Sequence, residues 1–253
     1  MTSSIVVLIT GANSGVGYAI AKIISSASPD YDVIIAGRRL EACNKAVSEL
    51  KAEGAKGGLS TLQLDQTDEA SVDAAAKQVE KEFGKIDVLI NNAGITDTTL
   101  PDEWSPKKKF DQVLSTNVTG PAIVSQAFQP LLFKSKNAYS IYVSTSLASM
   151  AMSTDPKYPV YHVKWAVYRA SKTGLNAWVV QDAREMAEKG VKVFAFCPGL
   201  VRSNLRGTTE DQVSSGGYAG DPDESGRAVL KIIQGDRDGD VGKFVHKDGV
   251  YDW

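Results

Sequence analysis

Short apolar runs recur along the chain, each followed by a longer amphipathic stretch. The runs are Ile5–Thr10, Asp32–Ala36, Ser60–Asp65, Ile86–Asn91, Tyr139–Ser144 and Val191–Cys197. Their apolar character is nearly continuous, as expected for strands buried on both faces. Helical patterns lie between them at Val16–Ala27, Leu40–Glu53, Glu69–Phe83, Lys108–Lys134 and Val167–Lys189. Strand and helix in alternation imply right-handed βαβ units on a mainly parallel sheet. The expected class is α/β, a doubly wound sheet flanked by helices. No stretch has the composition of a linker, so residues 1–253 are expected to form a single domain.

The bulk numbers exclude several functions. With 43% hydrophobic and 23% charged residues, the composition is that of an ordinary globular chain. A net charge of -2 gives no reason to expect nucleic acid or an anionic membrane as partner. The two cysteines, Cys43 and Cys197, and the two histidines, His162 and His246, are scattered, so no metal site is expected. The N-terminus, Thr2-Ser3-Ser4 running into Ile5–Ile9, lacks a basic region before its apolar run and does not read as a signal peptide. No apolar run reaches the ~20 residues of a membrane helix. A soluble, cytoplasmic protein is expected.

The first strand leads into Thr10-Gly11-Ala12-Asn13-Ser14-Gly15-Val16-Gly17, which opens a helix. Glycines there let the backbone turn sharply and approach a pyrophosphate, and the helix N-terminus supplies free N–H groups. Gly17 would permit close helix–strand packing. Four further motifs follow in order. They are Asn91-Asn92-Ala93-Gly94, Asn117-Val118-Thr119-Gly120, Tyr168-Arg169-Ala170-Ser171-Lys172 and Pro198-Gly199. Together the five span nearly the whole chain, and the pattern resembles the short-chain dehydrogenase/reductase family, of the carbonyl-reductase-like Tyr-x-x-x-Lys type.

Residues four apart share a helix face, so Tyr168 and Lys172 should project side by side. A nearby ammonium would bring the phenol down toward a working pKa. Hydroxyls cluster after the fifth strand at Ser144, Thr145, Ser146 and Ser149. Ser146 lies nearer the carboxyl end and aligns with the family's serine, with Ser144 in reserve. The resemblance makes Asn117 the fourth catalytic residue, holding a water that links the lysine to solvent. Gly120 and Pro121 just beyond it should disturb the helix.

The second strand ends in Ala36-Gly37-Arg38-Arg39, where an acid would favour NAD. Arg38 and Arg39 suit the 2′-phosphate of NADP instead. The resemblance adds Asp65 and Gln66 at the adenine, Asn92, Ala93 and Gly94 at the adenosine ribose side, and Pro198, Gly199, Val201 and Ser203 at the nicotinamide. It also implies that Lys172 bonds the nicotinamide ribose. Gly11, Asn13, Ser14, Gly15, Val16 and Gly17 complete the cofactor set.

The implied activity is NADP(H)-dependent interconversion of a carbonyl and an alcohol on a small organic substrate. An enoyl reductase, epimerase or dehydratase on the same fold remains an alternative. So does a non-catalytic dinucleotide sensor, although such proteins usually lack the tyrosine or lysine kept here. Two segments are irregular. Ser149–Trp165 lengthens the chain between Ser146 and Tyr168; it is either a substrate wall or a packing surface that bears on homo-oligomer formation, and its Tyr158, Tyr161 and Trp165 could equally be core. Leu200–Glu224, rich in Gly, Ser and Asp, has few apolar anchors and is expected to act as a mobile substrate lid.

Overall fold

The computed structural model describes residues 4–253. The reading of the N-terminus as leaderless rests partly on Thr2 and Ser3, which lie outside them. Seven strands run parallel: β1 (Ile5–Thr10), β2 (Tyr31–Gly37), β3 (Gly58–Gln63), β4 (Val88–Asn91), β5 (Tyr139–Val143), β6 (Lys192–Cys197) and β7 (Phe244–His246). An eighth, β8 (Gly249–Tyr251), returns antiparallel to β7. The order across the sheet is β3-β2-β1-β4-β5-β6-β7-β8. The chain winds outward from β1 to β3, then restarts beside β1 at β4 and winds the other way. That reversal opens a crevice at the carboxyl ends of β1 and β4, where ligands of such sheets bind.

Both faces of the sheet are covered, which explains the continuous apolar strands. On one face Leu8, Leu89 and Tyr142 pack with Val72, Phe128 and Leu175, from α3 (Glu69–Phe83), α5 (Gly120–Leu132) and α7 (Ala166–Ala187). On the other, Ile9, Ile35 and Phe194 pack with Ile20, Cys43 and Val229, from α1 (Gly15–Ala27), α2 (Leu40–Ala52) and α9 (Asp223–Ile233). Each large apolar side chain buried this way contributes about 1.5–3 kcal/mol. Both cysteines are buried and unpaired by a disulfide. Among the described residues no helix is long and apolar enough to cross a membrane.

Three features depart from the sequence reading. The stretch expected as one helix over Lys108–Lys134 is α4 (Pro106–Leu114) and α5 joined by a π-helical turn, Ser115–Thr119. Pro121 has no N–H for the carbonyl four residues back, that of Asn117. The bonding slips to five-residue spacing, and Gly120 N donates to Ser115 O. The alternation indicates nothing beyond Cys197, yet α9, β7 and β8 follow. Finally, Tyr158, Tyr161 and Trp165 are not core residues. Tyr161 is exposed, and the other two are half-buried.

Candidate active site

The crevice at the switch point is a cleft of about 490 Å³. Its floor begins at the turn after β1. Gly11 has φ +64, and a Cβ there would lie 2.9 Å from the Ala93 Cα of the turn after β4. Gly17 packs closer still, since a Cβ would lie 2.5 Å from Asn92 Nδ2. Hydrogen bonds stitch the same two turns together. The Thr10 hydroxyl accepts from Asn92 N and Ala93 N, each at 3.0 Å, and Asn92 Nδ2 donates to Thr10 O at 2.9 Å. Thr10 thus belongs to the site, although only its place at the head of the glycine motif signals this. The first turn of α1 carries no side-chain cap at Ser14, so its N–H groups are left for a ligand.

Arg38 and Arg39 stand exposed on the cleft rim, and among the described residues neither makes a salt bridge. Asp65 and Gln66 line the same end. Asp65 Oδ1 accepts from Thr67 N at 2.9 Å and from the Thr67 hydroxyl at 2.7 Å. Gln66 Nε2 donates to Thr116 O at 2.6 Å and Ala93 O at 3.2 Å, which ties the π turn to the loop after β4.

Tyr168 and Lys172 lie one turn apart near the start of α7, both buried and both on the cleft wall. Trp165 packs edge-on against the Tyr168 ring, centroids 5.8 Å apart. Lys172 Nζ donates to Val143 O at the end of β5, at 2.7 Å. Burial pulls the lysine down to about 8. Burial also raises the Tyr168 phenol above its ordinary value; Cys197 adds to the rise and the Arg206 guanidinium opposes it. This corrects the sequence reading, in which the lysine lowers the phenol. With its ammonium engaged by the Val143 carbonyl, desolvation governs both groups.

The serines at the end of β5 are divided. Ser144 lines the cleft, but its hydroxyl donates to Asn176 Oδ1 on α7 at 2.6 Å. Ser146 opens a 3₁₀ turn off the cleft wall, its backbone N donating to Cys197 Sγ at 3.2 Å. Asn117 is fully buried in the π turn, also off the wall. Its amide is committed: Oδ1 accepts from Ile95 N at 2.9 Å, while Nδ2 donates to Ile95 O at 2.8 Å and to the Ser171 hydroxyl at 2.9 Å.

Asn13, Ser14, Gly15, Val16, Asn92, Ala93, Gly94, Pro198 and Ser203 are on the cleft wall; Gly17, Gly199 and Val201 are not. Gly199 makes a left-handed turn with φ +81, and Val201 bridges to Gly220. Both shape the segment after β6 from behind. The sequence reading holds Asn204, Leu205 and Thr208 only within the expected lid and names none of them as a site residue; they close that side of the cleft. No local motif marks them; their position depends on how the segment folds back.

The segment between β6 and α9 is more organised than its composition suggests. Arg202 and Glu210 form a two-pronged pair at 2.8 and 2.9 Å. Thr209 and Gln212 form a reciprocal capping box on α8 (Glu210–Ser214). The 149–165 segment, which holds α6 (Met150–Ser153), is likewise tied down, Arg169 Nη1 donating to Val160 O at 2.9 Å and Val163 O at 2.7 Å. Ser149 donates to Asp252 O at 2.6 Å near the end of the chain.

Comparison with known proteins agrees with this architecture. Residues 5–214 match the family model described as short chain dehydrogenase. The short-chain dehydrogenase/reductase tropE of Talaromyces stipitatus is 31% identical over 261 residues, covering 96% of this chain and 95% of the relative. The 3-oxoacyl-[acyl-carrier-protein] reductase FabG of Vibrio harveyi is 28% identical, covering 96% of each. Among solved structures, the NADPH-bound carbonyl reductase from chicken fatty liver superposes with a TM-score of 0.81 at 27% identity, covering 100% of both chains. The protein is a member of the short-chain dehydrogenase family of oxidoreductases.

Proposed function

We propose that this protein interconverts a carbonyl and an alcohol on a small organic substrate, using NADP(H), with Tyr168 as general acid/base. The observation that carries the reading is one continuous cleft. It joins two arginines that make no salt bridge among the described residues, at one end, to the buried Tyr168 and Lys172 at the other. The structural neighbour from chicken is by its description an NADPH-bound carbonyl reductase, which supports the same reading.

The residues fit a dinucleotide. The Gly11 cradle, which any Cβ would fill, and the uncapped N–H groups of α1 suit a diphosphate. Arg38 and Arg39 suit a 2′-phosphate, with Asp65 and Gln66 flanking the adenine. A bound nicotinamide supplies or accepts the hydride. Tyr168 donates its proton to the substrate oxygen as the alcohol forms, and burial keeps that phenol protonated until it is needed. The second donor to that oxygen is assigned to Ser146 from the sequence resemblance; it stands just off the cleft wall, whereas the hydroxyl of Ser144, which lines the cleft, is engaged by Asn176. Lys172, beside Gly94, holds the ribose and returns the proton to Tyr168. Asn117 acts as a positioning residue: its amide fixes the loop carrying Gly94 and Ile95.

Steady-state rates with NADPH and NADH against a panel of ketones, aldehydes and quinones test the proposal. NADPH should be preferred, and Arg38→Ala/Arg39→Ala should abolish the preference; equal use of both cofactors by the wild type overturns the cofactor assignment. Tyr168→Phe should lose about 10²–10⁴-fold in kcat while still binding NADPH. Near-normal turnover by that variant removes Tyr168 from the chemistry.

A further inference from the structure

The π turn over Ser115–Thr119 strips one carbonyl of its backbone partners. In an α-helix Thr116 O would accept from Gly120 N, but that N–H is given to Ser115 O. At five-residue spacing it would accept from residue 121, which is Pro121 and has no N–H. A carbonyl released in this way turns to water or to a side chain. Here it is met by Gln66, a buried residue of the loop after β3, whose Nε2 donates to it at 2.6 Å. The same nitrogen donates to Ala93 O at 3.2 Å.

The neighbours of this amide fix its orientation. Both groups facing Nε2 are carbonyl oxygens, so a turned amide would set oxygen against oxygen. Gln66 Oε1 is buried with no partner among the described residues. The fold bears that cost, so the side chain is kept for its two N–H groups. Gly120 makes room for it, since a Cβ there would lie 2.8 Å from Gln66 Cγ.

The two acceptors belong to segments that converge on Lys172. Ala93 precedes Gly94, where a Cβ would lie 3.4 Å from Lys172 Nζ and 3.2 Å from Asn117 Oδ1. Thr116 precedes Asn117, whose amide bonds Ile95 N and Ile95 O. Residues 93–95 and 116–117 are therefore latched at two places, by Gln66 on one side and by Asn117 on the other.

We propose that Gln66 is a positioning residue for the proton-handling end of the site: its amide holds the loop and the π turn against which Lys172 sits. The inference rests on the oxidoreductase reading and moves the Gln66 side chain from adenine contact to this second role. Turnover, rather than cofactor affinity, is then what the side chain governs.

The test compares the wild type with Gln66→Met, which keeps length and packing without donors, and Gln66→Glu, which sets an oxygen where Nε2 stood. With a ketone or aldehyde that the wild type reduces, and saturating NADPH, kcat should fall about 10-fold or more in both variants. Kd for NADPH, read by fluorescence titration, should stay close to that of the wild type. Hydrogen exchange in the free protein should quicken at 93–95 and 115–120. Near-normal kcat overturns the proposal, and a raised Kd beside it assigns the side chain to the adenine. Unchanged exchange in both segments also overturns it. If neither variant folds, NMR of the free wild type decides: the Gln66 side-chain amide protons should be protected from solvent exchange, and rapid exchange there overturns the latch. If the wild type reduces no carbonyl compound with NADPH, the oxidoreductase reading falls. The exchange comparison then still decides whether Gln66 holds the two segments together.

Discussion

The turn between β1 and α1 and the segment between β6 and α9 meet across one cleft, where a Cβ on Gly15 would lie 3.4 Å from Ser203 Cβ. They are held in different ways. The first is fixed by sterics and by the core: β1 is buried along nearly its whole length, and Gly11 and Gly17 sit against backbone and amide atoms that cannot retreat. The second carries Leu200 and Tyr218 at 51% and 85% exposure and is braced by Arg206, the Arg202–Glu210 pair and a capping box. Core-backed structure opens only when the whole molecule opens, whereas polar braces at the surface open locally. The comparison refines the expected lid: the segment has few apolar anchors, and polar clamps take their place.

The largest expected effect tests the rigid side. Gly11→Ala forces a side chain into a left-handed φ and against Ala93, costing about 1–3 kcal/mol from the backbone conformation alone. Urea unfolding should show a lower midpoint, together with weaker dinucleotide binding. An unchanged midpoint would mean that the turn is as adaptable as the segment opposite.

A smaller effect concerns the frame beneath α7. Asp182 on α7 is fully buried. It accepts from the Tyr142 hydroxyl at 2.6 Å and the Ser125 hydroxyl at 3.4 Å, and it makes no salt bridge among the described residues. Burial raises its pKa, with the hydroxyl donors opposing. The folded state therefore holds this proton to higher pH than the unfolded chain. The resulting stability is full below the unfolded value of about 3.9 and is lost as pH rises through the folded one. Asp182→Asn should flatten that decline in thermal melts across the acid range. A variant whose stability falls with pH as steeply as the wild type's would show that the decline has another source.

The smallest effect tests the braced side. Thr209→Ala removes the capping box and about 1 kcal/mol of local stability. Amide exchange at Gln212 and Val213 should quicken while the global melting temperature holds. A matching fall in melting temperature would join the segment to the core and erase the distinction.

Much of the fold was legible in the sequence because its rules are local. A strand buried on both faces needs an apolar run, and the six runs became β1 to β6 with ends shifted by at most two residues. The later elements were hidden for physical reasons. β7 and β8 have three residues each, too few for a period to register. α9 follows directly on a Gly- and Ser-rich stretch that reads as loop, although its moderately spaced Val229, Ile232 and Ile233 were available as a signal.

The site divides along the same line. By itself, the sequence determined that glycine must stand where the first βα turn reverses, that Tyr168 and Lys172 share a helix face, and that arginines rather than an acid follow β2. Each follows from backbone geometry or from spacing within one element. Only the tertiary structure decided what those side chains meet: Lys172 bonds Val143 across 29 positions, Asn117 bonds Ser171 across 54, and Ser144 bonds Asn176 across 32. Desolvation and long-range hydrogen bonds depend on which distant segments fold against a group, and no local spacing encodes that.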